Sequence, residues 1–304
     1  MDLCNLSVIK SVMADAGITF RKEFGQNFLT NRIIPEEIAE QCADDPESMI
    51  LEIGPGIGCL TAELACRYAK VVAVEIDKGL IPVLDRTLAE FDNVTVINED
   101  VMKIDLPALI AEHSEGRPVS VCANLPYYIT TPILMMLLES GIKFRTITVM
   151  VQNEVAQRLV APPGKADYGA ITAILGYYGT VRRLFKVSAG SFVPAPKVDS
   201  AVIRIDLYRE PKYTPKDENL MRNVIKAAFE MRAASILGFM PDVLGCTECG
   251  ERRGEFFFDI MGGYVECPAC RKRRASTEVP DPEDRERHIV RILSEPAHAA
   301  LTYS

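Results

Sequence analysis

The stretch Leu51-Glu52-Ile53-Gly54-Pro55-Gly56-Ile57-Gly58-Cys59-Leu60-Thr61 constrains this chain more than any other. A short apolar run, Met49 to Ile53, reads as a buried parallel strand. Three alternate glycines follow it, and a helical pattern covers about 60–69. A strand that turns on glycines into a helix N-terminus brings bare backbone N–H groups up to a ligand. The spacing is G-x-G-x-G, not the G-x-G-x-x-G of the dinucleotide fingerprint. Glu75 ends the next apolar run, 71–74, where a carboxylate can accept hydrogen bonds from both hydroxyls of a ribose. Loop and acid together point to an adenosine-containing cofactor and leave open which one.

Around this loop the text alternates between strands and helices. Strands are predicted near 49–53, 71–75, 94–98, 118–122 and 146–151, with helices near 59–69, 78–91, 130–139 and 152–160. Such alternation predicts a parallel sheet covered on both faces, with ligands gathered at the carboxyl ends of its strands. The glycine loop, Glu75, Asp100 and Asn124 all fall at those ends. Further on come a helix over 170–178 and a strand pair near 180–187 and 200–208, joined by a proline-containing loop. A polar stretch with two prolines at 209–217 marks a domain boundary, followed by a helix over about 218–237. The predicted domains are therefore 1–210, a linking helical segment 211–240, and 241–304.

The chain has 304 residues, 48% of them apolar and 25% charged, as in ordinary globular proteins. Its net charge of −8 argues against a large basic surface but not against a local patch. The first 17 residues show no signal-peptide pattern, and no apolar run approaches the ~20 residues of a membrane span. A cytoplasmic monomer without membrane contact is expected. Cys4, Cys42, Cys59, Cys66 and Cys122 are scattered and read as buried free thiols.

Asn124-Leu125-Pro126-Tyr127 follows the fourth strand. This form suits methyl transfer to an exocyclic amine. The lone pair of an adenine N6 is delocalised into the ring and is a poor nucleophile. The Asn124 side-chain oxygen and the next carbonyl can accept both N6 hydrogens, drawing the nitrogen toward tetrahedral geometry for in-line attack on a sulfonium methyl. Pro126 fixes the turn, and Tyr127 can stack on a flipped base. Positioning and polarisation supply much of the effect without a general base.

Together these residues resemble the ribosomal RNA adenine N6,N6-dimethyltransferase family. The likeness runs over about 19–231 and rests on FGQNFL (24–29), LEIGPGIGCLT (51–61), VEID (74–77), Asp100, NLPYYIT (124–130), QNEVAQRL (152–159), Tyr168-Gly169 and FVPAPKVDSAVI (192–203). It implies a Rossmann-like, class I α/β methyltransferase that dimethylates two adjacent adenosines near the 3′ end of 16S rRNA in the small ribosomal subunit. It also implies S-adenosylmethionine, held by Gln26, Asn27, Leu29, Gly54, Gly56, Gly58, Glu75, Asp100 and Asn124. In that picture Glu75 takes the ribose, Asp100 takes the adenine amine, and Phe192 clamps the target base beside Asn124, Pro126 and Tyr127. Relatives that methylate 23S rRNA share the signature, but FVPAPKVDS is more similar to the small-subunit enzymes.

After Arg232 the text departs from that family, and its compact helical domain is missing. Instead, Cys246-x-x-Cys249 and Cys267-x-x-Cys270 have the spacing of a four-cysteine structural zinc site. A hairpin is expected between them, each Cys pair on a tight turn. The segment from about 229 to 304 resembles the C-terminal part of the recombination mediator (RecO) family, carried by RAASILGFMPD, CTEC, GGYVECPAC and a closing helix HIVRILSEP. The OB-fold that is that family's usual DNA-binding module is absent. Arg271-Lys272-Arg273-Arg274 is a candidate contact for DNA or a repair protein. Two family texts thus meet near 229–232 and each is truncated there. The alternative to an rRNA methyltransferase is a zinc-containing nucleic-acid-binding or repair adaptor with impaired transfer.

Overall fold

A computed structural model of the chain describes residues 1–17, 27–236, 248–251, 255–259, 264–277 and 289–293. Two compact units divide it, Met1–Glu218 and Asn219–Ser304.

The first unit is built on a seven-stranded sheet. Five parallel strands form most of it: β2 (Met49–Ile53), β3 (Lys70–Glu75), β4 (Val94–Asn98), β5 (Val119–Asn124) and β6 (Thr146–Gln152). The later strands β7 (Gly179–Val187) and β9 (Ser200–Leu207) join antiparallel, giving the order β4-β3-β2-β5-β6-β9-β7. The five strands of the alternating units are parallel as expected, and the later strand pair joins their edge. The connection from β7 to β9 holds no α-helix to carry the chain across the sheet, as a parallel crossover usually does, and the two strands pair antiparallel. A separate two-stranded ribbon pairs β1 (Phe28–Leu29) with β8 (Phe192–Val193).

Successive strand residues point to opposite faces of a sheet. Met49, Leu51 and Ile53 of β2 pack with Val121, Val149 and Ile203 into one core, which also holds residues of α5 (Leu106–His113), α6 (Thr130–Glu139), α7 (Asn153–Leu159) and α8 (Ala170–Tyr178). Ile50, Cys122, Met150 and Val202 face the other way, toward α2 (Ile33–Glu40) and α3 (Cys59–Ala65). A third cluster joins Ile9, Val12 and Met13 of α1 (Leu6–Asp15) to Phe28, Ile57, Leu80 and Val83. Its last member belongs to α4 (Ile81–Thr87). The sequence reading runs α3 and α4 too long and passes over α5, whose start is signalled by Asp105 accepting from the Ala108 amide.

Arg204 of β9 is buried and ties the sheet to the end of α2. It donates to Asp44 (2.6 Å), Asp206 (2.7 Å) and the Gln41 carbonyl (2.9 Å). The chain runs from β2 outward to β4, then returns to place β5 on the other side of β2. Such a reversal opens a crevice at the carboxyl ends of the two central strands, here Ile53 and Asn124.

The second unit holds most of α9 (Glu218–Ile236), a three-stranded antiparallel sheet and α10 (Pro268–Thr277). In the sheet, β10 (Glu255–Asp259) pairs with β11 (Tyr264–Glu266) as the expected hairpin. It also pairs with β12 (Ile289–Leu293). The closing segment therefore contributes a strand where a helix was expected. The run Ile289-Val290-Arg291-Ile292-Leu293 is β-branched and apolar around one arginine, a composition that favours a strand. The second cysteine pair also differs from expectation. It opens a helix, with Pro268 at the first helical position, where its missing N–H costs nothing. Among the described residues no helix is long and apolar enough to cross a membrane.

Candidate active site

The glycine loop leaves β2 through three left-handed residues, Gly54 (φ +72°), Gly56 (φ +63°) and Gly58 (φ +89°). Side chains are disfavoured there, and at Gly58 a Cβ would also lie 3.0 Å from Leu88 Cδ2. Glu75, at the end of β3, is buried and braces the loop. Its Oε2 accepts from the Gly56 amide (3.2 Å) and its Oε1 from the Asp77 amide (2.8 Å). Burial pushes this carboxyl above its usual range, against the pull of those two amides.

The loop and Glu75 form one wall of a cleft of about 860 Å³. Asn27, Phe28, Leu29, Ile57, Cys59, Leu60, Ile76 and Leu80 extend the wall, and Asn124, Leu125, Pro126 and Tyr127 complete it. Its mixture of apolar side chains with a few polar groups suits an organic ligand. Asn124 donates through Nδ2 to the Asn27 carbonyl (3.4 Å), so its amide nitrogen is engaged by the protein and Oδ1 is the end kept as acceptor. The Tyr127 hydroxyl shares a hydrogen bond with Ser200 Oγ (2.8 Å), and burial pushes its pKa up, keeping it neutral. That anchor fixes the ring along the cleft. Tyr128, next in sequence, is 67% exposed.

Of the residues proposed from sequence, Asn27, Leu29, Gly54, Gly56, Glu75, Asn124, Pro126 and Tyr127 come together around this cleft. Gly58 stands behind it as the cap of α3. Asp100 is not on its wall: Oδ1 accepts from the Met102 amide (3.0 Å) and Oδ2 pairs with Lys103 (3.2 Å). Phe192 is also off that wall. Pairing of β8 with Leu29 turns its ring into the core beside Leu29 and Ile34, where it is 5% exposed and off the cleft wall. A ring so buried supports the strand pair and is not placed to clamp a base. Gln26 and Cys246 lie outside the described residues.

In the second unit the sulfurs of Cys249, Cys267 and Cys270 lie within 4.8 Å of one another. Cys249 and Cys267 are 3.7 Å apart. Four thiolates about 2.3 Å from a central zinc would be about 3.8 Å apart. Arg273 donates to Cys270 Sγ (2.8 Å).

A family model for "Ribosomal RNA adenine dimethylase" matches residues 17–245. The chain belongs to that family. The Streptococcus pneumoniae "Ribosomal RNA small subunit methyltransferase A" is 46% identical over 249 residues, 82% of this dimethylase and 86% of the relative. The Alkaliphilus metalliredigens protein of the same name is 46% identical over 231 residues, covering 76% and 80%. Among solved structures, a dimethyladenosine transferase from Plasmodium falciparum superposes with TM-score 0.59 at 27% identity, over 66% of this chain and 70% of that one. The 23S rRNA methyltransferase ErmE superposes with TM-score 0.55 at 30% identity, over 70% and 80%. A second family model, "Recombination protein O C terminal", matches residues 216–296 of the dimethylase, overlapping the first along α9.

Sequence reasoning missed Glu52. This carboxyl sits mid-strand in β2, is 1% exposed and lines the cleft. Its Oε2 and the nearby Thr61 Oγ1 have no hydrogen-bond partner among the described residues. Burial pushes its pKa up to about 8. The signal was an acid inside an otherwise apolar strand, directly before the loop.

Proposed function

We propose that this dimethylase transfers methyl groups from S-adenosylmethionine to N6 of two adjacent adenosines near the 3′ end of 16S rRNA, in the small ribosomal subunit. The observation that carries the reading is one cleft lined both by the glycine loop with Glu75 and by the Asn124-Leu125-Pro126-Tyr127 turn. The Glu52 carboxyl, buried on the cleft beside the Thr61 hydroxyl and with no cation paired to it among the described residues, fits the ammonium of the cofactor's amino-acid end, because a buried acid favours a cationic ligand. Glu75 fits the ribose, and Ile76, exposed beside it, offers an apolar face to the adenine. When bound, the cofactor supplies an electrophilic methyl on a sulfonium.

The chain's own residues do the rest. Asn124 Oδ1 and the Leu125 carbonyl accept the two N6 hydrogens and free the nitrogen's lone pair. Tyr127, held by Ser200, stacks on the base. Leu125 is buried, and Pro126 fixes the turn, so neither acceptor needs to reorganise during the reaction. In the second unit, Cys246, Cys249, Cys267 and Cys270 hold a structural Zn2+, for which the 3.7 Å sulfur spacing speaks.

The test is transfer from labelled S-adenosylmethionine to undermethylated small subunits, with the product nucleoside identified. N6,N6-dimethyladenosine is the expected product. Cofactor binding without transfer would favour the second reading, which the zinc-type cluster supports: an adaptor that contacts DNA or a repair protein.

A further inference from the structure

Two cysteines that the proposed mechanism does not use lie against each other at the cleft. Cys4 sits in the turn before α1, and Cys59 is the first residue of α3, directly after the glycine loop. Their sulfurs are 2.7 Å apart, across 55 positions of sequence. Cys4 is buried, whereas Cys59 is partly exposed and lines the cleft. A disulfide needs about 2.05 Å between sulfurs, so closing this pair requires well under an ångström of approach. The other thiols of the first unit are placed differently. Cys42 and Cys122 are both buried and off the cleft wall, and Cys66 is exposed on the surface.

We propose that Cys4 and Cys59 are a redox modification site: a low-molecular-weight disulfide oxidises them to a cystine when the cleft is empty, and an occupant of the cleft shields them. The shielding rests on the cofactor reading above; the pairing of the sulfurs does not. The step is thiol–disulfide exchange. Cys59 gives up its proton and attacks one sulfur of oxidised glutathione, releasing one glutathione thiolate and leaving a mixed disulfide. Cys4 then loses its proton and displaces the second glutathione. Two thiols are oxidised to one cystine, and two electrons and two protons pass to two molecules of reduced glutathione. The hydrogen bond that the Cys59 thiol shares with Cys4, together with burial, holds it well above its usual range. Little thiolate is present at neutral pH, so the exchange is slow there and quickens as the medium turns alkaline.

The full chain is incubated with oxidised glutathione at mildly alkaline pH, quenched with acid, alkylated and mapped by peptide mass spectrometry. The expected product is a peptide cross-linked between Cys4 and Cys59, with Cys4→Ser trapping a glutathione adduct on Cys59 instead. S-adenosylhomocysteine at 100 times its dissociation constant leaves about 1% of the cleft free, so cross-linking slows about 100-fold. Recovery of Cys4 and Cys59 both alkylated, with oxidation confined to Cys66 and the C-terminal cysteines, overturns the proposal. Calorimetry separates the two premises. Ligand bound with the rate unchanged overturns the shielding, whereas no ligand binding alongside a normal cross-link overturns the cofactor reading and supports the pair.

Discussion

At the scale of single residues, the two ends of the cleft make different demands. In the proposed mechanism Asn124 works through one acceptor oxygen, so its loss would remove polarisation of the target amine without touching the core. Asn124→Ala should lower the rate of methyl transfer by about 10²–10³-fold with the thermal midpoint unchanged; near-normal turnover would sink the mechanism. Glu52 behaves oppositely, since burial disfavours its charged form more than the Thr61 hydroxyl beside it can offset. Its folded pKa is about 8, above the roughly 4.3 of an unfolded chain. The folded state therefore holds the proton more tightly. The stability this contributes is complete below about pH 4.3 and is lost as pH rises through 8. Denaturant midpoints of the ligand-free protein should fall between pH 6 and 9 in wild type and stay flatter in Glu52→Gln. Equal slopes would mean that Glu52 is ionised throughout. Cofactor affinity should move the other way, rising with pH in wild type as the carboxylate forms for its cationic ligand.

At the scale of elements, the strand–loop–helix unit from Met49 to Ala65 depends on the backbone freedom of its glycines. Gly58→Ala forces a side chain into the left-handed region, at about 1–2 kcal/mol, and presses it on Leu88. Chemical denaturation should show a loss of at least that size; no loss would mean the loop has another accessible conformation. This unit was legible from sequence because strand pattern, glycines and terminal acid lie within one short window. So were the parallel strands, each a compact apolar run. The burial of Phe192 was not legible. It follows from pairing between Leu29 and Phe192, and no local pattern reveals so distant a partner. The antiparallel entry of β7 and β9 into the sheet is likewise a matter of distant pairing, whereas the strand Ile289–Leu293 carries a local signal in its β-branched, apolar run. Asp100 was read by its place at a strand end, yet its side chain is engaged with the following turn. Glu52 was visible but was read as part of an apolar run.

At the scale of the whole molecule, the proposed methyl-transfer cleft and the proposed zinc site lie in different units. Changing Cys267 and Cys270 to serine should release about one zinc per chain and unfold the second unit, because so small a sheet needs a metal to stand in for a core. The melting transition of the first unit should remain. Absence of zinc from the wild-type protein, measured by elemental analysis, would remove the ribbon reading. With a net charge of −8, binding to rRNA must come from a local arrangement of cations, and its salt dependence would count the phosphates contacted. The reversal of strand order around β2 has a consequence for synthesis. As the chain leaves the ribosome, β2, β3 and β4 can pair while the far edge of β2 still waits for Val119–Asn124. During that interval a fully apolar-flanked strand edge stands open, a template for pairing with another nascent chain.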